Sequence, residues 1–141
     1  MKIAIASDHG GYNLKQKIFE YLKDKYEITD FGTYSADSCD YPVYAKKVVD
    51  AILNRDFERG ILICGTGIGM AIAANRYKGI RASNVSDCYS AKMTRLHNNS
   101  NILTLGERVT GEGLAFDIVD TWLKTEYEGG RHQRRIDLID D

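Results

Sequence analysis

Apolar residues along the 141-residue chain follow two patterns: short unbroken runs, and repeats at helical spacing. Five short runs bounded by polar residues or glycine predict β-strands. They are residues 2–7, 26–32, 60–64, 79–85 and 101–107. The run 60–64, GILIC, carries no polar side chain, which is typical of a strand covered on both faces.

After each run, apolar residues recur every three or four positions, which predicts amphipathic helices. The helices are expected at 13–25, from residue 42 onward, at 70–76, at 87–98 and at 113–127. Ser86 is expected to cap the fourth helix. In the last helix, Leu114, Ile118 and Trp122 are expected to face the core.

Five strands, each followed by a helix, predict a doubly wound α/β fold with one parallel sheet. We expect a flavodoxin-like α/β/α sandwich with strand order 2-1-3-4-5 and right-handed crossovers. The sequence has no repeat or linker, so residues 1–141 are expected to form one domain. Gly129 and Gly130 end the last helix and leave a C-terminal arm of about residues 129–141.

The charge balance and the cysteines limit the class of protein. There are 19 Lys and Arg against 20 Asp and Glu, so the basic excess typical of a nucleic-acid binder is missing. No apolar run has the length of a secretion signal or a membrane span. The three cysteines form no CxxC pair, which predicts free thiols in the cytoplasm.

The fold class predicts where a site should lie. In open parallel sheets, ligands bind beyond the carboxyl ends of the strands, where the winding reverses. The loops 7–11 (SDHGG) and 64–69 (CGTGIG), which follow the first and third strands, should therefore meet. We expect the loop GERVTG, and the end of the fourth helix in RLHNN, to lie over the same edge.

The glycine-rich loop has two interpretations. Gly65, Gly67 and Gly69 have the spacing GxGxG after the third strand, whereas a dinucleotide fingerprint is GxGxxG after the first. A P-loop lysine is also missing. The loop is either a tight structural turn or a nest of backbone N–H groups that binds anions.

Cys64 stands at the end of a strand, just before a helix. Most cysteines are inert buried residues, and we expect this of Cys88, while Cys39 lies in a loop without a clear signal. A helix N-terminus favours the thiolate, so Cys64 is a candidate nucleophile or base. The pair Asp8 and His9 is either a cap and turn or part of the same site.

The remaining candidates lie toward the C-terminus. Arg131 and Arg135 are four residues apart, so on a helix they share a face that suits a phosphate dianion. The alternative is a solvated charged end. His97 is either a surface residue or part of a site. The histidines and cysteines show no spacing typical of metal ligands, so no metal is expected.

Together these residues resemble the ribose-5-phosphate isomerase type B family, which also contains allose-6-phosphate isomerase and galactose-6-phosphate isomerase subunits. The resemblance is carried by SDHGGYNLK, DFGT, DYPVYA, GILICGTGIGMAIAANRYKGIRA, RLHNNSNILTLGERVTG and YEGGRHQRRI, which span residues 3 to about 136. It implies isomerisation without metal or cofactor. It also implies a homodimer, alone or paired into a tetramer, whose active sites combine both subunits.

The resemblance also implies residue roles. Cys64 matches the base that forms an enediolate, and His97 matches the acid that opens the sugar ring, with Asp8 as its partner. The substrate-binding residues it implies are Asp8, His9, Gly65, Thr66, Gly67, Ile68, Gly69, Asn98, Arg108, Arg131 and Arg135. The Thr66 hydroxyl would assist proton transfer, and the three arginines would surround the phosphate.

Two positions refine the resemblance. Another branch of the family takes its base from a glutamate where this chain has Met70, so the chain matches the cysteine branch. The intact GGRHQ stretch favours ribose 5-phosphate as substrate. Allose 6-phosphate and galactose 6-phosphate are the alternatives. The alternative of another class is a non-enzymatic nucleotide- or flavin-binding module, which the GxGxG spacing disfavours.

Overall fold

A five-stranded parallel sheet organises the computed structural model, which describes residues 1–141. Its strands are β1 (Lys2–Ser7), β2 (Glu27–Asp30), β3 (Arg59–Cys64), β4 (Ala82–Asn84) and β5 (Ile102–Gly106). Each neighbouring pair of strands runs parallel. The predicted α/β class with a parallel sheet is therefore confirmed.

Six α-helices accompany the sheet. They are α1 (Tyr12–Leu22), α2 (Tyr41–Leu53), α3 (Ile68–Ala74), α4 (Cys88–Asn98), α5 (Glu112–Lys124) and α6 (Arg131–Asp137). A short 3₁₀ turn, His9–Gly11, leads into α1. None of these helices combines the length and the apolar character that crossing a bilayer requires.

The strand order is β2-β1-β3-β5-β4, so the expected order of the last two strands is wrong. All five residues of β5 are buried, whereas none of the three residues of β4 is. An interior strand needs an apolar run covered on both faces, and a short polar strand suits a sheet edge. The pairing of Cys64 with Gly106 places the loop after β5 directly beside the loop after β3.

The core is divided between the two faces of the sheet because alternate strand residues point to opposite sides. Ile63 and Leu105 belong to one core with Trp122 of α5. Cys64 and Met70 belong to the other, with residues of α2. Each fully buried large side chain stabilises the fold by about 1.5–3 kcal/mol. Burial on both faces fixes β3 at the centre of the sheet.

Two expectations about the helices need correction. Asp87, not Ser86, caps α4, because its carboxylate accepts a hydrogen bond from the amide three residues later at 2.7 Å. Leu114 is 44% exposed, since the buried face of α5 passes through Ala115 instead. Ile118 is buried, as predicted.

Candidate active site

Cys64 ends β3 at the carboxyl edge of the sheet and is only 5% exposed. Its Sγ accepts a hydrogen bond from the Gly67 amide at 3.1 Å. The Gly67 N–H is thus a backbone donor directed at the sulfur, just before the start of α3. Cys64 is therefore buried at the carboxyl ends of the strands, with its sulfur held against the glycine loop.

Gly67 turns the chain from β3 into α3 with a φ of +81°. A Cβ atom at this position would lie 2.2 Å from Asn84 Oδ1 and 2.9 Å from the carbonyl carbon of Leu105. The left-handed conformation and the crowding both favour glycine. This glycine is structural, and it also directs the amide that contacts Cys64.

Several amides of the glycine loop are free to bind a ligand. The Ile68 amide is not one of them, because it donates to Thr66 Oγ1 at 3.2 Å. The amides of Gly65, Thr66 and Gly69 donate to no acceptor within the chain. Free N–H groups clustered beside a thiol form a nest for an anion or for a developing oxyanion. The turn and the nest are thus two properties of the same loop.

The loop after β1 lies against the glycine loop, as the switch-point rule predicts. A Cβ atom added to Gly10 would be 3.2 Å from the Gly65 amide nitrogen. Asp8 is buried, and its Oδ1 accepts a hydrogen bond from the Gly11 amide at 3.2 Å. Asp8 therefore caps the 3₁₀ turn and also brings a carboxylate to the site.

The segment before α2 forms a third wall that the sequence did not reveal. The Cys39 amide donates to His9 Nδ1 at 3.2 Å, and Cys39 Sγ lies 4.0 Å from the same nitrogen. With Nδ1 accepting, the proton of a neutral His9 ring lies on Nε2, where it can be donated. The Tyr41 ring lies 3.0 Å from where a Cβ atom of Gly69 would be. These contacts join distant parts of the chain, so no local motif signals them.

Arg108 reaches the glycine loop from β5. Its amide donates to Gly65 O at 3.0 Å, and its Nη1 would lie 3.1 Å from a Cβ atom at Gly65. Glu107 secures this loop to α1 by accepting the Leu14 amide at 2.6 Å. The guanidinium places positive charge beside the free amides, which favours an anionic ligand there.

A second group of predicted residues surrounds the end of α4. His97 and Asn98 line a cavity of about 490 Å³ together with Arg131 and Arg135 of α6. The two arginines are one helical turn apart, so the predicted shared face is confirmed. Guanidinium groups around a cavity of this kind suit a phosphate.

Glu128 and His132 complete this second group, and neither was predicted as a site residue. The rings of His97 and His132 stack with centroids 4.4 Å apart. Their Nε2 atoms lie 3.9 and 3.7 Å from the two carboxylate oxygens of Glu128. The four-residue spacing of Glu128 and His132 was the available sequence signal, but the turn between them hides it.

The two groups lie at opposite ends of the strands: the glycine loop at the carboxyl ends, and the end of α4 at the amino ends. Arg81, which precedes β4, donates from Nε to the carbonyls of Asn98 and Asn99 at 3.1 and 3.0 Å. The expectation that α4 ends over the glycine loop is wrong, because a helix that returns along its strand ends where the strand begins. A strand of five or six residues spans about 17–20 Å. His97 and Cys64 of one chain therefore do not meet.

Comparison with known proteins covers both groups of residues. A family model described as ribose/galactose isomerase matches residues 3–139. The chain is 49% identical to ribose-5-phosphate isomerase B of Escherichia coli, over 98% of this chain and 93% of that protein. It is 55% identical to the solved ribose-5-phosphate isomerase B of Clostridium thermocellum, with a TM-score of 0.98 over 99% of this chain and 95% of that one. The enzyme of Mycoplasma genitalium, solved with bound ribulose 5-phosphate, is 46% identical with a TM-score of 0.94 over 98% and 93% of the two chains. This chain belongs to the ribose/galactose isomerase family.

Proposed function

We propose that this chain interconverts ribose 5-phosphate and ribulose 5-phosphate, with Cys64 as the general base. The observation that carries the proposal is the Cys64 thiol, held by the Gly67 amide beside the free amides of Gly65, Thr66 and Gly69. Relatives named ribose-5-phosphate isomerase B align with nearly the whole chain, which supports this substrate.

The central step moves one proton between two carbons of the open-chain sugar. The Cys64 thiolate takes the proton from C2 of the aldose, and a cis-enediolate forms as the carbonyl oxygen gains negative charge. The free amides of Gly65, Thr66 and Gly69 stabilise that charge without having to reorganise. The Thr66 hydroxyl passes a proton between the two oxygens. The Cys64 thiol returns its proton to C1, which yields the ketose.

The closed sugar must open before this step. Ring opening removes a proton from the anomeric hydroxyl and adds one to the ring oxygen, and His97 with Asp8 provides that exchange. An imidazole gains and loses a proton near neutral pH, so it suits this task. His9 and Asn98 bind sugar hydroxyls.

The phosphate is bound by Arg108, Arg131 and Arg135, because guanidinium groups donate paired, charge-assisted hydrogen bonds to phosphate oxygens. The cycle uses the side chains and amides of the chain itself and requires no metal or cofactor.

The mechanism needs both groups of residues at one sugar, so we propose a homodimer, alone or paired into a tetramer, with shared sites. The end of α4 and α6 of one protomer would meet the glycine loop of its partner. Ile72 on α3 and Leu138 and Ile139 after α6 are large apolar residues exposed to solvent. Ile139 lines a cavity with Asn75, the residue after α3, so these apolar segments are neighbours. Exposed apolar patches of this kind favour a protein contact.

Residues 1–141 are proposed to act as one domain, with residues 129–141 as the arm that supplies the phosphate-binding arginines. All three cysteines are unpaired. Unpaired thiols are the usual state in a reducing compartment, which supports a cytoplasmic location.

Replacing Cys64 tests the proposal. Cys64→Ala removes the base, so kcat for ribose 5-phosphate should fall by about 10²–10⁴-fold, while binding of the sugar phosphate largely persists. Conversion is followed by the appearance of ribulose 5-phosphate, and binding by calorimetry. The matched control is Cys88→Ala on α4, which should leave kcat unchanged. Full activity of Cys64→Ala would exclude Cys64 as the base.

Other substrates in the same assay separate the alternative functions. The intact GGRHQ stretch favours the five-carbon sugar, so kcat/KM should be higher for ribose 5-phosphate than for allose 6-phosphate or galactose 6-phosphate. The reverse order would reassign the substrate within the family. Tight binding of NAD or a flavin, with no turnover of any sugar phosphate, would instead favour a binding module.

A further inference from the structure

We propose that His97, Glu128 and His132 form a binding site for a transition-metal dication, with Zn²⁺ as the reference ion. The sequence predicts no metal site, because these residues share no familiar ligand motif. The fold brings them together at the end of α4. The site is distinct from the isomerisation chemistry proposed for Cys64.

The donor atoms have the chemistry and the spacing of a zinc site. Two imidazole nitrogens and one carboxylate are a common set of three protein ligands for Zn²⁺. All three donor atoms lie within 4.8 Å of one another. Tetrahedral Zn²⁺ with bonds of about 2.0–2.1 Å holds its ligand atoms about 3.3 Å apart. The Nε2 atoms of His97 and His132 lie 3.9 and 3.7 Å from different oxygens of Glu128. The three donor atoms therefore have to draw closer together when an ion binds.

His132 supplies an independent observation that points to a ligand. Its side chain is only 6% exposed, and its Nε2 has no hydrogen-bond partner. The nearest Glu128 oxygen, at 3.7 Å, is too distant for a hydrogen bond. Buried nitrogen atoms are almost always paired, so an unpaired one calls for an explanation. A cation between His132 and Glu128 would satisfy both groups.

The backbone holds two of the three ligands in place. The Glu128 amide donates to Leu96 O at 3.1 Å, which fixes Glu128 beside His97. Gly129, with a φ of +73°, then reverses the chain so that His132 stacks beneath His97. The two rings are within 19° of parallel, so one ring must turn to converge on the ion. His97 can turn, because its side chain is 41% exposed.

Three protein ligands leave the fourth tetrahedral position open. Two of the three ligands, His97 and His132, line the cavity that Arg131 and Arg135 also line. Their positive charge weakens the binding of a cation and favours an anion, such as hydroxide or a phosphate oxygen, as its fourth ligand. We therefore expect micromolar affinity rather than the much tighter binding of a structural zinc site.

Occupancy of the site would change what His97 can do. A metal bound at Nε2 prevents that nitrogen from exchanging protons, so Zn²⁺ should inhibit the isomerase. This consequence rests on the proposed function, whereas metal binding itself does not. A binding measurement and an activity measurement therefore test the two proposals separately.

The binding test uses Zn²⁺ alone, in competition with a chromophoric chelator, on the full chain. One ion per chain is expected. Glu128→Gln keeps the shape of the side chain and should weaken binding at least about tenfold. The matched control is Glu126→Gln, an exposed glutamate two residues away, which should bind as the wild type does. Equal Zn²⁺ affinity in Glu128→Gln and the wild type would overturn the proposal.

A Co²⁺ spectrum of the unaltered chain tests the ligand set even if a variant fails to fold. Nitrogen and oxygen ligands give the visible bands of tetrahedral Co²⁺ without thiolate charge-transfer absorption. Strong charge-transfer absorption would place the metal on cysteine and overturn the assignment, as would the absence of tetrahedral bands at saturating Co²⁺. Inhibition of ribose 5-phosphate conversion by Zn²⁺, reversed by EDTA, is the expected effect on activity.

Discussion

The amide of Gly67 sets the chemical environment of Cys64. The sulfur is almost fully removed from water, and the Gly67 N–H is the donor that reaches it. A thiolate transferred from water needs replacement for its lost hydration, and a fixed backbone dipole supplies it without reorganisation. The reactivity proposed for Cys64 therefore depends on the conformation of a residue that has no side chain.

Gly67→Ala should damage both the fold and the reaction. An alanine here would have a left-handed φ and would clash with Asn84 and Leu105, so the free energy of unfolding should fall by about 1–3 kcal/mol. Any relaxation moves the amide away from Cys64, so kcat should fall at least about tenfold. Urea unfolding and the isomerase assay measure the two effects.

Gly113→Ala is the matched control for this prediction. A Cβ atom added at Gly113, on α5, would meet no atom within 4 Å. Alanine also favours a helix over glycine, so stability should stay the same or rise by up to about 1 kcal/mol. If Gly67→Ala kept wild-type kcat, the contact between Gly67 and Cys64 would have no part in the reaction.

The sequence predicted those site residues that lie close together along the chain. Cys64 and Gly67 belong to a single strand-to-helix connection, so their spacing carries the information. Cys39 reaches His9 across 30 residues, and Glu128 reaches His97 from another helix connection. Such contacts depend on how whole elements pack, and no local pattern encodes them.

Helix α4 runs from the carboxyl ends of the strands back to their amino ends. Asp87 caps its first turn near the carboxyl edge, and His97 lies in its last turn at the other edge. The pKa of Asp87 lies below its usual range, chiefly because the Ser90 amide donates to the carboxylate and the Ser90 hydroxyl adds to this effect. The cap is therefore strongest when Asp87 is ionised.

The cap should make the stability of α4 depend on pH. A pKa lowered in the folded state adds stability above the unfolded pKa, and this is lost as the pH falls through the folded pKa. Asp87→Ala should therefore be less stable than the wild type at neutral pH, and the deficit should shrink below about pH 4. Urea unfolding at several pH values measures it.

Asp87→Asn is the control, because it retains a capping oxygen without the charge. Its advantage over Asp87→Ala should stay constant with pH, since neither side chain titrates. A deficit of Asp87→Ala that persisted unchanged into acid would mean that the charge of Asp87 does not stabilise the helix.

The order of the elements was only partly predictable. Alternation of strands and helices gave the parallel sheet, but it does not say which strand lies at the edge. The apolar content of the two strands carried that information: β5 is buried throughout, and β4 is short and polar. A comparison of how apolar the two strands are, and therefore of how deeply each can be buried, favours the observed order.

A single chain does not bring Cys64 and His97 to the same place. The two residues lie at opposite ends of the strands, although the proposed reaction needs both at one sugar. In the proposed symmetric dimer, each protomer would give its glycine loop to one site and its α4 terminus to the other. The proposed dimer is therefore part of the proposed catalytic mechanism.

Mixing two inactive variants tests this arrangement. Cys64→Ala and His97→Ala homodimers each carry one defect in both sites. In a mixed dimer with shared sites, one site carries both defects and the other carries none. One of the two sites in each mixed dimer is intact, so the purified mixed dimer should have about half of the wild-type activity. The variants are co-expressed with different tags, and the doubly tagged dimer is purified and assayed with ribose 5-phosphate. If each site were built from one chain, both sites of the mixed dimer would stay defective and no activity would return.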